Sequence, residues 1–392
     1  MTDARRHRAI IVSPGPVEVP RELMRGLPQL HHRTKAFREI STETVELLKV
    51  LLRTSSPVYL LTSSGTGAME AAVVNVTVPG SSVLVVSGGK FGRRWAEICD
   101  AYECRTDLVE FGCGSAIDVD SIVQRIDRDR PQFVAVTHVE SSTGLLFPLR
   151  EFTGRLGAHR PVVIVDAISS LGAEDFDMDG WGIDVAVGAS QKSLAAPAGT
   201  SFIAMGKNAV DVAGGRRRGM YYLDLKHFEV EEAAGYTPFT PAVQTVQIMH
   251  RSLLTMKALG FDEMVSRQRR ASAAFLAAAR HLSLASYSES PSSAVQVLAP
   301  QPAVGVDEIL ARLEREGFIA AGGQGELKGR VMRTGFLGLF GIRTLERLVS
   351  ATAEALRASG CRVDVSSALE CLRKYDVVSS PFEAVVGRIL ED

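Results

Sequence analysis

The chain has 392 residues, of which 46% are hydrophobic and 23% are charged, so its length allows two or three structural units with a large buried core. Its 44 basic and 45 acidic residues leave a formal net charge of -1, which argues against nucleic acid or an anionic membrane as a general partner, because both need a surplus of Lys and Arg. The five cysteines form no C-x-x-C pair and no metal-ligand spacing with a histidine, so we expect neither a disulfide framework nor a zinc site.

Residues 1–20 predict an N-terminal arm ahead of the first domain. They begin polar and basic and lead into an apolar run at 9–12 that is too short for the core of a signal peptide. No apolar stretch of the sequence approaches the ~20 residues of a membrane helix. We therefore expect a cytoplasmic protein that has no membrane partner.

Between residues 21 and 262, short apolar segments alternate with segments of helical spacing, which predicts one large domain. Segments that are apolar throughout are typical of strands covered by helices on both faces of a sheet. The predicted strands are 58–61, 82–86, 133–137, 161–165, 185–187 and 201–204, and the predicted helices between them are 67–76, 91–101 and 119–126. The pattern predicts an α/β domain of three layers with a mostly parallel sheet.

The pattern changes after residue 241, where two long helical segments, 243–259 and 261–282, carry the chain out of the large domain. Strand-like segments at 294–298 and 331–334 alternate with helical segments at 306–316 and 342–358. We expect a smaller C-terminal α+β domain at 263–360. Residues 361–392 predict a helical tail of unknown role.

A single lysine, Lys192, follows a buried strand in a loop of small residues, 188–199. A surface position is the ordinary interpretation of one lysine, but ligands of open α/β sheets sit at the carboxyl ends of strands. An amine held in such a pocket loses its proton more readily and can condense with an aldehyde.

Asp166 ends another apolar strand, and it could cap a helix or bind a metal. Paired with the lysine, its carboxylate is better suited to a protonated pyridine nitrogen, as in pyridoxal 5'-phosphate, with Ile168 against one ring face.

Three further strand ends carry groups that suit the same cofactor. A Gly-rich turn at 63–70 joins a strand to a helix, where backbone N–H groups and hydroxyls can hold a phosphate, although most such turns are only tight connections. Phe91 follows the next strand and could stack on a flat ring, or it could be a core residue. A polar cluster at 138–144 follows the predicted strand 133–137. No single element is decisive, but the set fits one cofactor.

Taken together, the motifs resemble the class V aminotransferases, a family of fold-type I pyridoxal-phosphate enzymes, and within it the alanine-glyoxylate and serine-pyruvate aminotransferases. The resemblance runs from about residue 11 to residue 357. Its motifs are SPGP at 13–16, HHRT at 31–34, SGTG at 64–67, ESSTG at 140–144, VD at 165–166, SQK at 190–192, AGGQG at 321–325 and RTG at 333–335.

The resemblance implies a role for each matching residue. Lys192 would hold the cofactor as a Schiff base and move the proton, Asp166 would pair with the ring nitrogen, and Phe91 would stack on the ring. The remaining predicted residues are Ser64, Gly65, Thr66 and Gln191 at the phosphate, Ser142 beside the ring, Gly15 near the substrate, Arg333 at the substrate carboxylate, and Thr240, donated to the partner's phosphate in a homodimer with shared active sites. The family's glyoxylate enzymes have Trp where this chain has Phe91.

The resemblance implies transfer of an amino group from a small amino acid, alanine or serine, to a 2-oxo acid, glyoxylate or pyruvate. A lyase or cysteine desulfurase would need a thiol on a mobile loop, and none of the five cysteines falls at such a position. A 2-aminoethylphosphonate aminotransferase fits the segment at 31–33 less well. A specialised biosynthetic enzyme with an unusual amine donor or replacement chemistry stays open. The basic run Arg216–Arg218 is interpreted as a solvated loop in preference to a lining of the entrance.

Overall fold

The computed structural model describes residues 9–206, 209, 219–232, 236–301, 304–338 and 342–375. The basic run Arg216–Arg218 and the tail beyond residue 375 lie outside the described residues. In the part of the chain that is described, no helix is both long enough and apolar enough to cross a membrane.

A seven-stranded sheet forms the centre of the large unit. Its strands are β1 (Val58–Leu61), β2 (Ser82–Ser87), β3 (Arg105–Glu110), β4 (Phe133–Thr137), β5 (Val162–Asp166), β6 (Val185–Ala189) and β7 (Ser201–Met205). Across the sheet they lie in the order β1-β7-β6-β5-β4-β2-β3. Only β7 runs antiparallel to its neighbours, so the carboxyl ends of the other six strands meet at one edge.

Twelve helices are described in chain order. They are α1 (Arg21–Met24), α2 (Lys35–Leu52), α3 (Gly65–Val76), α4 (Lys90–Ala101), α5 (Val119–Asp129), α6 (Leu149–Gly154), α7 (Leu225–Glu232), α8 (Val243–Leu259), α9 (Phe261–Arg280), α10 (Val306–Arg315), α11 (Ile342–Ala358) and α12 (Val365–Arg373). The sheet is covered on both faces, because alternate residues of one strand join different cores: Val134 and Val136 join one, Phe133 and Ala135 the other. This arrangement confirms the predicted three-layer, mostly parallel α/β domain.

The sequence prediction missed the edge strand β3. Its residues are partly buried or exposed, with none fully buried, and they include Arg105, Asp107 and Glu110, so no apolar run marks it. An edge strand has only one neighbour, here β2, and needs fewer apolar side chains than a central strand. Asp107 instead accepts hydrogen bonds from Arg125 of α5 at 2.7 and 2.8 Å.

The smaller unit has an antiparallel sheet of four strands. They are β8 (Leu284–Ser286), β9 (Val295–Pro300), β10 (Ala321–Gly322) and β11 (Met332–Gly335), in the spatial order β8-β9-β11-β10. Helices α9 to α12 share one hydrophobic core beside this sheet, and the described part of the tail joins it through Ala368 and Leu372. The arm pairs with the same unit, since Ile10–Ile11 runs parallel to Phe318–Ile319. The predicted boundary at 262 and 263 falls in the first turn of α9 and stays a prediction.

Candidate active site

A cavity of about 220 Å³ opens at the carboxyl edge of the large sheet. Residues just beyond the ends of β1, β2, β4, β5 and β6 line it, together with the N-terminal arm. The lining residues are Gly15, Pro16, Ser64, Gly65, Thr66, Met69, Phe91, Arg94, Val139, Asp166, Ile168, Ser169, Gln191, Lys192 and Ala198. A second cavity of about 200 Å³ lies between α2, β1 and Tyr236, and none of the predicted site residues lines it.

Lys192 lies in the loop after β6, beneath the N-terminal arm. Its Nζ donates a hydrogen bond of 2.6 Å to the carbonyl oxygen of Pro14. Gly15 crosses so close that a Cβ on it would lie 2.6 Å from the lysine Cδ, and its φ of +121° also favours glycine. Burial lowers the pKa of Lys192 to about 8; the charge of Asp166 opposes this shift and that of Arg333 adds to it. The amine is therefore able to release and regain a proton near neutral pH.

Asp166 is the last residue of β5 and is 4% exposed. Burial raises its pKa to about 7, although its Oδ1 accepts a hydrogen bond of 2.8 Å from the Ile168 N–H and the charges of Lys192 and Arg94 favour ionisation. Within the described part of the chain, that N–H is the only hydrogen-bond donor to the carboxylate. A cationic partner in the cavity would restore the charged form of Asp166.

The turn from β1 into α3 has the properties of an anion site. Ser64 caps α3, whose first N–H groups have no acceptor within the helix and carry its positive end. Gly65 leaves room there for Ile168, because a Cβ on it would lie 2.5 Å from Cδ1 of that side chain. Across the cavity, Oε1 of Gln191 is buried without a hydrogen-bond partner among the described residues. A phosphate would accept hydrogen bonds from the helix N–H groups and from Nε2 of Gln191, whereas Oε1 can only accept.

The buried carboxylate of Glu140 organises the start of α4. Its Oε2 accepts hydrogen bonds of 2.9 Å from the N–H groups of Phe91 and Gly92. Its Oε1 accepts from the N–H of Ser142 at 3.1 Å and from its hydroxyl at 2.5 Å, and that hydroxyl accepts from the Lys90 N–H at 3.0 Å. Burial raises the pKa of Glu140, and these hydrogen bonds oppose the shift. The network fixes the Phe91 ring at the cavity wall.

Arg333 lies on β11 of the smaller unit and is 6% exposed. Its Nε donates to the carbonyl oxygen of Gly322 at 2.7 Å, and its Nη1 donates to that of Ser141 at 3.0 Å. Burial lowers its pKa, and the charge of Glu140 opposes this. No ion pair between described residues includes Arg333, so its charge is available to an anionic ligand.

Nine of the twelve predicted site residues line the cavity. Arg333 and Ser142 are buried beside it, and Thr240 is exposed on the surface of the protomer. The predicted roles of all twelve stay predictions. Sequence reasoning missed Arg94, although it lies one helical turn after Phe91, and it placed Glu140 only within a polar cluster. An acid three residues after a buried strand is the signal that could have singled out Glu140.

Known proteins resemble the chain over most of its length. A protein named soluble hydrogenase, small subunit, from Synechococcus sp. (strain PCC 6716) is 35% identical over 90% of this chain and 94% of its own length. The L-aspartate–glyoxylate aminotransferase of Paracoccus denitrificans (strain Pd 1222) is 28% identical over 87% of this chain and 91% of its own length. The crystal structure of the ureidoglycine-glyoxylate aminotransferase of Bacillus subtilis superposes with a TM-score of 0.86, at 25% identity, over 93% of this chain and 97% of that one.

The family itself is shown by a match over more than half of the chain. Residues 22–297 match the family described as Aminotransferase class-V. They contain the whole seven-stranded sheet and both Lys192 and Asp166. The resemblance and the fold predicted from the sequence motifs are thus confirmed: the chain belongs to the class V aminotransferase family and is a pyridoxal-phosphate-dependent aminotransferase of fold type I.

Proposed function

We propose that this enzyme transfers the amino group of a small amino acid, alanine or serine, to a small 2-oxo acid, with glyoxylate favoured over pyruvate. The observation that carries the proposal is the pairing of Lys192 and Asp166 in one cavity, each with a pKa moved toward neutrality. Glyoxylate is supported by the names of two relatives that share most of the chain's length. The hydrogenase name of the Synechococcus relative describes redox chemistry, which this pairing does not support.

The residues of the cavity fit pyridoxal 5'-phosphate. The start of α3, with Ser64, Gly65 and Thr66, would hold the phosphate together with the side-chain NH2 group of Gln191, which lines the same cavity. The free side of Asp166 would hold the protonated ring nitrogen. Ring contacts are assigned to Phe91 and Ile168 at the cavity walls and to Ser142, which is buried beside the cavity. When bound, the cofactor supplies an electrophilic carbon for the substrate amine and a ring that accepts electrons.

Lys192 is proposed to carry the proton that the amino acid loses from its α carbon. Its Nζ, with a pKa lowered to about 8, would take the proton from the α carbon of the amino acid, hold it, and release it again within the site. The carbonyl oxygen of Pro14 orients this amine, since it accepts a hydrogen bond from Nζ at 2.6 Å. Gly15 leaves the space above the lysine that a substrate needs.

Arg333 is proposed to bind the carboxylate that the amino acid and the 2-oxo acid share. We expect Arg333→Gln to raise KM for both substrates about 10- to 100-fold, because a charge-assisted hydrogen bond to a carboxylate is lost. Steady-state kinetics with each substrate varied in turn measures this. Arg330→Gln is the matched control, since Arg330 is exposed three residues earlier. An unchanged KM in Arg333→Gln would remove this arginine from the substrate site.

A cytoplasmic homodimer with shared active sites remains part of the proposal. Thr240 is exposed and lies far along the chain from the residues of its own cavity, which suits donation to a partner's phosphate site. Tyr221 and Tyr222, which are 68% and 42% exposed, pack near it against Phe239. An exposed aromatic surface of this kind is typical of subunit contacts.

The absorbance spectrum of the purified protein tests the function directly. We expect a band near ~420 nm from the lysine-bound cofactor, which L-alanine or L-serine converts to the band of the aminated cofactor and glyoxylate restores. A band that neither L-alanine nor L-serine changes would contradict the proposed substrates and favour a specialised biosynthetic enzyme. Conversion of L-cysteine to alanine, with sulfide released when a thiol reductant is added, would favour a desulfurase, although no described cysteine lines the cavity. A protein that shows no band even with added cofactor would contradict the site itself.

A further inference from the structure

Arg94 is an arginine of the cavity wall that the assignments above leave without a role. It lies on α4, one turn after Phe91, and its Nη1 donates a hydrogen bond of 2.9 Å to the hydroxyl of Thr66 at the start of α3. Its guanidinium carbon lies 4.8 Å from the centre of the Phe91 ring. The neighbouring Arg93 points away and forms an ion pair with Glu110. Arg94 is in no ion pair between described residues.

Arg94 adds a positive charge beside the start of α3; the charge of Asp166 attracts it, but the two form no ion pair among the described residues. The start of α3 is a positive helix end, and its first turn contains no acidic residue. A cation bonded to Thr66, the second residue of that helix, therefore lies beside a second positive charge. The start of α4 differs, because the carboxylate of Glu140 accepts two of its N–H groups. Of these two helix starts, that of α3 has no carboxylate hydrogen-bonded to its N–H groups among the described residues.

We propose that Arg94 is the charged ligand of the cofactor phosphate and that it orders the phosphate site through Thr66. The phosphate would lie between the N–H groups at the start of α3 and the guanidinium, which binds phosphate oxygens with a planar pair of donors. Arg333 lies on the smaller unit and contacts Ser141 and Gly322 instead. Each arginine would thus bind a different anion: Arg94 binds the phosphate and Arg333 binds the substrate carboxylate. The inference rests on the proposed placement of the phosphate at the start of α3.

The test compares binding of pyridoxal 5'-phosphate and of pyridoxal, which lacks the phosphate, to the full-length protein after its cofactor has been removed. The ratio of the two dissociation constants isolates the contribution of the phosphate. We expect Arg94→Gln to weaken binding of pyridoxal 5'-phosphate about 10- to 100-fold, as expected for loss of a charge-assisted pair, and to leave binding of pyridoxal nearly unchanged. Arg93→Gln is the matched control and should leave the ratio as in the wild type.

Arg94→Met is a second uncharged variant that keeps aliphatic contact with Phe91, and the same result is expected from it should Arg94→Gln fold poorly. Equal weakening of both ligands would overturn the proposal, because Arg94 would then act on the ring through Phe91. No weakening of either ligand would overturn it as well. A wild-type protein that binds both ligands equally would contradict the phosphate placement itself, which separates that failure from a failure of Arg94 alone.

Discussion

Replacing Lys192 with alanine is expected to lower kcat by at least about 10³-fold and to remove the absorbance band near ~420 nm, because general-base catalysis and covalent attachment both depend on its amine. The cofactor should still bind through its phosphate and ring contacts. Stopped-flow absorbance with L-alanine measures the loss of the proton-transfer step. Lys90→Ala is the control, since Lys90 is exposed at the start of the neighbouring helix and only its N–H takes part in the site.

The stability of the cofactor-free protein gives an independent measurement on the same residue. The pKa of Lys192 is lowered to about 8 from 10.5, so between these values the folded protein binds fewer protons than the unfolded chain. Stability therefore rises with pH across this window, and the cost of the buried cation is complete below it. Lys192→Met should raise Tm at pH 7, with a smaller gain at pH 9.5. A gain in Tm from Lys192→Met that is the same at pH 7 and pH 9.5 would show that burial does not destabilise the charged amine.

The sheet was largely predictable from sequence because its strands other than β3 are almost entirely buried, including the edge strand β1. Residues 58–61 and 133–137 were placed with their observed bounds, and the other four predicted strands differ by one or two residues at an end. An edge strand such as β3 needs no apolar run, so it gave no signal. The antiparallel direction of β7 also leaves no mark in its own residues, since it is buried like its parallel neighbours.

The site was predictable where a residue stands at the end of a strand, as Asp166 does, or follows one closely, as Lys192 does. Contacts between distant parts of the chain were not predictable in this way. The Arg94 hydrogen bond to Thr66 joins α4 to α3, and the Glu140 network joins the loop after β4 to the start of α4. Such contacts depend on how helices pack over the sheet, which local spacing does not encode.

Burial shifts the pKa values of both Lys192 and Asp166 in the direction that favours their neutral forms. Each group favours the charged form of the other, but in neither does this attraction outweigh burial. The cofactor-free cavity therefore stores unfavourable free energy that a bound cationic ring nitrogen relieves at Asp166. Strain of this kind at a functional site is expected to reduce stability in exchange for activity.

Asp166→Asn is expected to lower activity and to raise the stability of the cofactor-free protein. Without its carboxylate the ring nitrogen loses the group that keeps it protonated, and we expect kcat to fall about 10²- to 10³-fold, the range found when one preorganised electrostatic partner is removed. The cofactor-free variant should at the same time be more stable than the wild type at pH 8. The raised pKa, from 3.8 to about 7, corresponds to roughly 4 kcal/mol at about 1.4 kcal/mol per unit as an upper limit.

The sign of this stability effect follows from proton binding. Between pH 4 and 7 the folded protein holds more protons than the unfolded chain, so wild-type stability falls as pH rises through this window. The gain from Asp166→Asn should thus be absent near pH 4 and complete above pH 7, as measured by urea unfolding at each pH. Asp179→Asn provides the opposite control, because hydrogen bonds from Thr54 and Ser55 outweigh its burial and lower its pKa. That variant should lose stability at pH 7, with the loss vanishing at low pH. A gain for Asp166→Asn that is the same at pH 4 and pH 8 would mean that packing, and not the buried charge, sets the cost of this aspartate.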